Sequence, residues 1–248
     1  MFNLKQNFKV CVVFTALISL SACNTLKHTD SLSSQRLNDP VQGLNKRIYA
    51  FNMAADKAVL RPTAKVYHAV LPDSAERAIS RFFNNIGEPL NIVNNLLQGN
   101  IDGALNSTYR FSVNTTVGLL GFFDVANAYN VDEKNEDFGQ TLAVWGVKPG
   151  PYIMLPFLGP TNVRDLAGRL TDNAALYPIN EITHSRRGRL GLSVLDIVDT
   201  RVGLLGLDAT LDNQLDSYLF LKDAYESRRI ISVYNGNPPE ADEDEFDF

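Results

Sequence analysis

Apolar residues recur at helical spacing through most of this chain, whereas the strict alternation of apolar and polar residues that is typical of β-strands is scarce. Prolines and glycines divide the helical pattern into short segments, because a proline in a helix interior ends or kinks the helix. A chain with these features is restricted to short amphipathic helices joined by turns. The sequence therefore predicts a mostly α-helical fold in a single domain.

Capping residues and prolines give the expected helix boundaries. Asn45 is expected to cap the first helix, and Arg61-Pro62 is expected to interrupt it near its end. Asp73 or Ser74 is expected to cap the second helix, which Glu88-Pro89 is predicted to restart with the proline in a first turn. Further helices are predicted after residue 102 and after residue 160.

Two apolar stretches fit neither a water-facing loop nor a membrane span. Residues 117–126 are too apolar for an exposed loop and too few to cross roughly 30 Å of hydrocarbon, which needs about 20 residues. Residues 146–160 combine apolar side chains with prolines that prevent a regular helix or a central strand. This second stretch is predicted to be an apolar, constrained loop. Its candidate flexible-loop positions are Gly146, Pro149, Gly150, Pro151, Pro156, Gly159 and Pro160.

The amino-terminal segment has the features of a lipoprotein signal peptide. Basic residues precede an apolar run over residues 10–20, which is too short to span a bilayer. Leu20-Ser21-Ala22-Cys23 follows and looks like a bacterial lipobox, in which the cysteine thiol carries a diacylglycerol. Residues 1–22 are therefore predicted to be cleaved and Cys23 to be lipidated. The alternative is an ordinary signal peptide with an incidental cysteine.

The rest of the chain divides into three predicted segments. Residues 23–38 are polar and are expected to form a lipidated flexible tether. Residues 39–232 are expected to form the helical domain, and residues 233–248 a disordered acidic tail, for which a docking role stays open. The other cysteine, Cys11, is lost with the leader, so no intramolecular disulfide is possible.

The charge balance argues against binding to nucleic acid. The chain has 23 basic and 28 acidic residues, a net charge of −5. The leader holds two of the basic residues and the tail after Pro239 six of the acidic ones, so the body between them is nearly neutral. Nucleic-acid binding needs a surplus of lysine and arginine, which the body lacks.

A series of ordered motifs runs over residues 39–178. The motifs include Asp39-Pro40-x-x-Gly-x-Asn45-Lys-Arg-x-Tyr49-x-Phe51-Asn52, Phe82-Phe83-Asn84-Asn85-Ile86-x-Glu88-Pro89, Asn95-x-Leu97-Gln98-Gly99, Asp137-Phe138-Gly139-Gln140-Thr141-Leu142 and Leu155-Pro156-x-x-Gly159-Pro160. In this order they resemble the MlaA/VacJ family of outer-membrane lipoproteins. Asn24, which follows the lipobox cysteine, resembles the sorting signal for the outer membrane.

The resemblance implies both an architecture and a task. Members of the family are similar to a curved, ring-like set of amphipathic helices that lies in the outer membrane around a central channel. Phospholipid misplaced in the outer leaflet passes through the channel to a soluble periplasmic carrier of the MlaC type, which maintains lipid asymmetry. The family associates with trimeric porins and binds no nucleotide. On this basis we expect a monomer that is lipid-anchored, embedded from the periplasmic side, and without a cofactor.

Two groups of residues are the candidate sites. The predicted helix after Pro160 has apolar residues on one face and charged residues on the other. The charged side chains are candidates for the wall of the lipid path: Arg164, Asp165, Arg169 and Asp172. The alternative is that they form surface ion pairs worth about 0–1 kcal/mol each. Tyr49, Phe51 and Asn52 match a family motif beside the expected channel and are candidate gating residues. Packing in a helix core is the alternative for these three.

Two other classes of function stay open at this stage. No metal-ligand spacing of the His-Glu-x-x-His kind and no Gly-x-Ser-x-Gly elbow occurs, so the sequence predicts no catalytic or metal-binding residue. A phospholipase is nevertheless the enzyme-class alternative. The third possibility is a structural lipoprotein that ties the membrane to a porin or to the cell wall without transferring lipid.

Overall fold

The structure is a computed structural model that describes residues 38–176, 183 and 185–239 of the chain. The prediction of a mostly α-helical fold is confirmed. The leader, the lipobox cysteine Cys23, the tether before residue 38, His184 and the tail beyond Pro239 lie outside the described residues.

The described helices, in chain order, are α1 (Gln42–Ala55), α2 (Arg61–Val70), α3 (Asp73–Leu97), α4 (Ile101–Thr116), α5 (Phe138–Val144), α6 (Val163–Leu176), α7 (Arg186–Gly203), α8 (Asp208–Asp212) and α9 (Ser217–Val233). A π-helical turn, Asp56–Leu60, joins α1 to α2. Short 3₁₀ turns occur at Ala126–Tyr129 and Leu205–Leu207. Strands β1 (Tyr152–Leu155) and β2 (Gly159–Asn162) lie between α5 and α6.

The start and the end of α1 both differ from expectation. The helix begins at Gln42, so Asn45 lies inside it and the predicted cap is wrong. Asn45 is buried and holds β1 instead, because its Nδ2 donates to the Tyr152 carbonyl at 3.2 Å and its Oδ1 accepts from the Met154 N–H at 3.0 Å. The predicted interruption at Arg61-Pro62 is also wrong, since the π-helical turn leads directly into α2. The proline occupies the first turn of α2, where its missing N–H is tolerated.

α3 runs without a break through Pro89, so the predicted restart at Glu88-Pro89 is wrong. An interior proline costs roughly 3 kcal/mol in an isolated helix. Here α3 makes its contact with α4, the most extensive helix–helix contact in the described chain, on both sides of Pro89: Asn85 donates to Thr115 at 3.0 Å and Asn95 lies beside Gly103. This packing keeps the helix in line. The predicted cap at Asp73 or Ser74 is also wrong, because extended Pro72 precedes the helix without a side-chain cap.

The apolar, proline-rich stretch contains an antiparallel hairpin, so the prediction that it is only a constrained loop is wrong. β1 and β2 pair from Tyr152 opposite Asn162 to Leu155 opposite Gly159. The two strands are the whole sheet, and Pro160 can therefore sit in β2 without breaking a ladder on a second side. Phe157 in the turn has a φ of +62°.

An aromatic core lies under the hairpin. Tyr152, Met154 and Tyr218 are buried together, with Ile48, Tyr49, Leu221 and Tyr225 packed around them. Tyr218 meets Tyr49 and Tyr152 edge-on, with ring centroids 5.7 and 6.2 Å apart. The hairpin is thereby fixed between α1 and α9.

In the α3–α4 pair, unlike the aromatic core, the buried side chains are mostly polar and the large exposed ones are mostly apolar. Every buried residue of α3 is polar or charged: Asn85, Glu88, Asn91, Asn94 and Asn95. Its exposed side, together with that of α4, carries apolar residues: Val93, Leu96, Ile101, Leu105 and Tyr109. Over all described residues, buried polar or charged side chains outnumber buried hydrophobic ones two to one, the reverse of a water-soluble domain. No described helix combines the length and the apolar character needed to cross a membrane.

Candidate functional site

The charged face of α6 opens onto a cavity of about 230 Å³, which we call the α6 cavity. Its lining comes from α3, α6, α9 and the residue that precedes α5: Leu90, Asp137, Asp165, Arg169, Asp172, Asn173, Tyr225 and Arg229. Three of the four candidate lipid-path residues are in this lining. The fourth, Arg164, is not.

Arg229 from α9 is the centre of the charge network at the cavity. Its Nη1 and Nη2 donate to the two carboxylate oxygens of Asp137 at 2.5 and 2.6 Å. Nη2 also donates to Asp165 Oδ1 at 3.0 Å, and Nε lies 2.7 Å from Asp165 Oδ2. Burial by itself would lower the pKa of Arg229, but the two carboxylates raise it. Arg229 therefore stays charged and ties α9 to α6 and to the start of α5.

Asp165 is a fixed part of this network. It accepts hydrogen bonds from Asn162 Nδ2 at 2.7 Å, from the Tyr225 hydroxyl at 2.6 Å and from Arg164 Nε at 3.0 Å. Burial favours the neutral carboxyl, but Arg229, Arg164 and these hydrogen bonds hold the pKa of Asp165 below its ordinary value. Arg164 and Asp165 are both buried, so they are neither a surface ion pair nor free to meet a ligand.

Asp172 and Arg169, one turn apart on α6, are much less constrained. Asp172 Oδ2 accepts the Phe138 N–H at 3.0 Å and Oδ1 accepts Asn94 Nδ2 at 3.5 Å, and burial raises the pKa of this carboxyl. Arg169 is exposed at the cavity, and within the described chain no hydrogen bond or ion pair involves it. The α6 cavity thus presents one unengaged cation and one carboxylate that has only neutral partners.

The candidate gating residues contact the hairpin and not the α6 cavity. Asn52 Nδ2 donates to the Leu155 carbonyl at 2.9 Å, and its Oδ1 accepts from the Phe157 N–H at 2.8 Å. Phe51 packs edge-on against Phe157 with ring centroids 5.1 Å apart. Tyr49 reaches the aromatic core instead. Asn52 and Phe51 together fasten the turn of the hairpin to α1.

The candidate flexible-loop residues surround the same hairpin. Gly146, Gly150 and Gly159 have φ values of +85°, +70° and +78°, a region that favours glycine. Pro149 accepts the Arg164 N–H at 3.1 Å, which joins the segment before β1 to the start of α6. Pro151 precedes β1, Pro156 lies in the turn and Pro160 is in β2.

A buried ion pair inside α3–α4 was not predicted from the sequence. Arg110 Nε donates to Glu88 Oε1 at 2.7 Å, with the side chains 3% and 1% exposed. Arg110 also donates to the Val131 carbonyl at 2.6 Å and to Asp124 at 3.3 Å. Asn114 reinforces this by donating to Asp124 Oδ1 at 3.0 Å. The signal was the helical spacing of Asn85, Glu88, Asn91 and Asn95, which puts all four on one face.

These bonds hold an apolar loop that follows α4. Leu119 and Leu120 have φ values of +51° and +61° and are 62% and 58% exposed. A left-handed conformation costs a leucine roughly 1–2 kcal/mol. Gly121 beside them approaches Asn85 so closely that a Cβ would lie 2.3 Å from Asn85 Cβ. The fold thus stores backbone strain where it exposes two leucines to their surroundings.

Comparisons with known proteins agree on one family. A sequence model described as MlaA lipoprotein matches residues 37–231. A protein of Rickettsia felis is 37% identical over 195 residues, 79% of this chain and 78% of its own. The intermembrane phospholipid transport system lipoprotein MlaA of Escherichia coli is 34% identical over 207 residues, 82% of this chain and 81% of its own. A solved structure, described as the structural basis for maintenance of bacterial outer membrane lipid asymmetry, superimposes with a TM-score of 0.69 at 33% identity and covers 81% of this chain and 100% of its own.

Proposed function

This chain belongs to the MlaA lipoprotein family, and from that premise we propose that it is an outer-membrane lipoprotein that removes misplaced phospholipid from the outer leaflet. It passes the lipid inward to a periplasmic carrier and so maintains lipid asymmetry. Support comes from the relatives named for intermembrane phospholipid transport and from the structure described by its role in outer-membrane lipid asymmetry.

The observation that carries the proposal is the reversed polarity of α3–α4. A phospholipid in transit needs a polar route for its headgroup and an apolar one for its tails. The exposed apolar side chains Leu96, Ile101 and Leu105 are favourably placed against hydrocarbon, and the backbone groups in the helix interiors are already hydrogen-bonded within the helix. The buried amides and charges of these helices then face a polar interior. In water the same arrangement would be unfavourable.

The lipid path proposed here is the central channel of a ring-like set of helices, with the α6 cavity on its wall. Arg169 and Asp172 face the passing lipid in this scheme, whereas Arg164 and Asp165 hold the wall together through Arg229. Transfer is passive at this component, because a lipid moves between two protein environments according to its difference in affinity for them. No catalytic role is proposed.

Closure of the path is assigned to the hairpin. Its turn is fastened to α1 through Asn52 and Phe51, and glycines with positive φ precede β1 and begin β2. The tip of the hairpin is tied to α1 by two hydrogen bonds of the Asn52 side chain and one ring contact. The tip can therefore separate from α1 without disturbing the α3–α4 pair, while Asn45 keeps β1 in place. Tyr49 supports the closed position from the aromatic core.

Attachment and partners follow from the family. Cys23 carries the lipid anchor, the domain is embedded from the periplasmic side, a trimeric porin is its neighbour in the membrane, and a soluble carrier of the MlaC type accepts the lipid. The exposed leucines of the loop after α4 add apolar surface for the membrane.

Deletion of the protein tests the proposal. Cells without it are expected to accumulate phospholipid in the outer leaflet, measured by the palmitoylation of lipid A by a surface acyltransferase or by surface labelling of amino-phospholipid. Re-expression of the full chain restores the low level, and a Cys23→Ala chain at equal abundance restores it poorly. An unchanged outer leaflet after deletion contradicts the proposed direction.

The alternative functions have their own readouts. Purified full-length protein in liposomes that contain radiolabelled phospholipid is mixed with soluble lipid carrier. Labelled intact phospholipid on the carrier supports transfer. Free fatty acid indicates a phospholipase, and porin binding without lipid transfer indicates a structural lipoprotein.

A further inference from the structure

The α6 cavity has a charge pattern that matches one class of headgroup. We propose that it binds the zwitterionic phosphoethanolamine headgroup, with the Arg169 guanidinium on the phosphate and the Asp172 carboxylate on the ammonium. This inference rests on the proposed function, since it specifies which phospholipids the same site prefers.

Arg169 is the group available to the phosphate. The other arginine of the lining, Arg229, is fully engaged by Asp137 and Asp165. Arg169 has no partner among the described residues, although three carboxylates line the same cavity. A planar guanidinium with free N–H groups is the side chain best suited to two phosphate oxygens at once.

Asp172 is the group available to the ammonium. It lies three residues after Arg169, so the two side chains are neighbours on one face of α6. Despite this spacing they form no ion pair with each other, and the partners of Asp172 are a backbone N–H and an asparagine amide. Among the described residues no cation contacts it directly, and Arg229 acts on it only through space. A primary ammonium, which has three N–H donors, supplies both the charge and the hydrogen bonds.

The sum of charges favours a zwitterion over an anion. Three aspartates and two arginines line the α6 cavity, and Arg164 pairs with Asp165 behind the lining, so the charges of the site are balanced. The phosphate of phosphatidylglycerol would add a negative charge without a cation beside Asp172. The phosphate and ammonium of phosphatidylethanolamine add no net charge and meet opposite partners.

The size of the α6 cavity is consistent with a headgroup and not with a whole lipid. At about 230 Å³ it is smaller than the roughly 300–1,000 Å³ of sites that enclose a drug-sized ligand. Leu90 from α3 is the apolar member of the lining, whereas the remaining members are polar or charged. Acyl chains must therefore lie outside the cavity, against the apolar surface of the membrane or the channel.

The experiment measures which lipid the full-length protein retains. Detergent-solubilised protein is equilibrated with an equimolar mixture of dioleoyl phosphatidylethanolamine and dioleoyl phosphatidylglycerol, passed through gel filtration, and analysed for bound lipid by mass spectrometry. We expect about fivefold more phosphatidylethanolamine than phosphatidylglycerol, the ratio that one partly screened ion pair provides.

Two substitutions separate the two contacts. Asp172→Asn is expected to bring the ratio close to one by lowering phosphatidylethanolamine and raising phosphatidylglycerol. Arg169→Gln is expected to lower both lipids severalfold, because both carry the phosphate. Asp223→Asn on α9 and Arg81→Gln on α3 remove the same charges from exposed positions outside the cavity. These controls are expected to retain the wild-type amount and ratio.

The possible outcomes separate failure of the headgroup assignment from failure of the proposed function. Equal retention of both lipids by the wild-type protein, or a wild-type ratio in Asp172→Asn, overturns the headgroup assignment and leaves the proposed function standing. A ratio that shifts equally in Asp223→Asn assigns the preference to overall charge and overturns the assignment too. If the wild-type protein retains neither lipid, the proposed function fails together with this inference.

Discussion

Two regions of this molecule bury opposite kinds of side chain. Under the hairpin, Tyr152, Met154 and Tyr218 form an aromatic core like that of a water-soluble protein. In the α3–α4 pair the interior is held by Glu88, Arg110 and asparagines, and the leucines and valines face outward. The difference fits the proposed location at a membrane, where one chain has to fold for two surroundings. Around the hairpin burial of apolar surface stabilises the fold, whereas in α3–α4 specific polar contacts must do so.

The largest expected effect comes from breaking the buried ion pair of α3–α4. Glu88→Leu leaves the Arg110 charge buried with weaker partners, and we expect the free energy of unfolding in detergent to fall by about 3–5 kcal/mol. Chemical denaturation followed by circular dichroism measures it. The matched double variant Glu88→Leu with Arg110→Met should recover most of the loss, since both fully buried charges are gone and the other partners of Arg110, Asp124 and Glu133, are 19% and 25% exposed. An equal loss in both variants would mean that volume, and not charge, holds the pair together.

Next in size is truncation of the hairpin core. Met154 is 1% exposed, and Met154→Ala should lower the free energy of unfolding by about 2–5 kcal/mol because it leaves a cavity. Leu105→Ala removes a similar volume from the outer face of α4, where Leu105 is 62% exposed, and should change stability in detergent by less than about 0.5 kcal/mol. A comparable loss in both variants would show that α4 is packed against protein on its outer side as well.

A smaller effect of opposite sign is expected in the apolar loop. Leu119→Gly relieves a left-handed backbone that costs roughly 1–2 kcal/mol, against a glycine entropy cost of roughly 0.5–1 kcal/mol. The free energy of unfolding in detergent should therefore rise by about 0.7 kcal/mol, the difference between the centres of these ranges. Leu207 is similarly exposed but has a φ of −90°, and Leu207→Gly should lower stability instead. The same sign for both glycines would rule out strain at Leu119.

The smallest expected effect is a pH dependence at α7. Asp199 accepts hydrogen bonds from Ser80 at 2.7 Å and Tyr67 at 3.3 Å, and burial raises the pKa of its carboxyl. The folded state holds the proton of Asp199 more tightly than the unfolded chain does. The stabilisation by protonated Asp199 is therefore complete below the ordinary carboxyl pKa of about 3.9. It is lost as the pH rises through the raised pKa of the folded state. Asp199→Asn should flatten the stability profile in that window. An unchanged profile would show that Asp199 titrates normally.

The sequence predicted what local periodicity and chemistry determine. The helical class follows from spacing, and the charged face of α6 follows from the positions of Arg164, Asp165, Arg169 and Asp172. The division of these four into two fixed and two unengaged residues could not be predicted, because Arg229 and Tyr225 come from α9, some 60 residues later in the chain.

Two of the wrong predictions share one cause, which is long-range contact. Asn45 has the side chain of a helix cap, but it pairs with the backbone of β1 more than 100 residues away. Pro89 is a helix breaker whose effect is overridden by α4. The spacing of the asparagines shows that α3 has one polar face. That this face is buried could not be predicted, because it depends on the Arg110 side chain of the next helix.

The central claim is that the apolar side of α3–α4 contacts hydrocarbon, and spin labelling tests it directly. If Cys23 is acylated, a single introduced cysteine is the one free thiol of the mature chain, since the other natural cysteine lies in the leader. A label at Leu105→Cys in reconstituted protein is predicted to collide readily with oxygen and poorly with a water-soluble nickel complex, whereas one at the exposed loop residue Lys134 should do the opposite. High nickel accessibility at position 105, equal to that at position 134, would contradict the account.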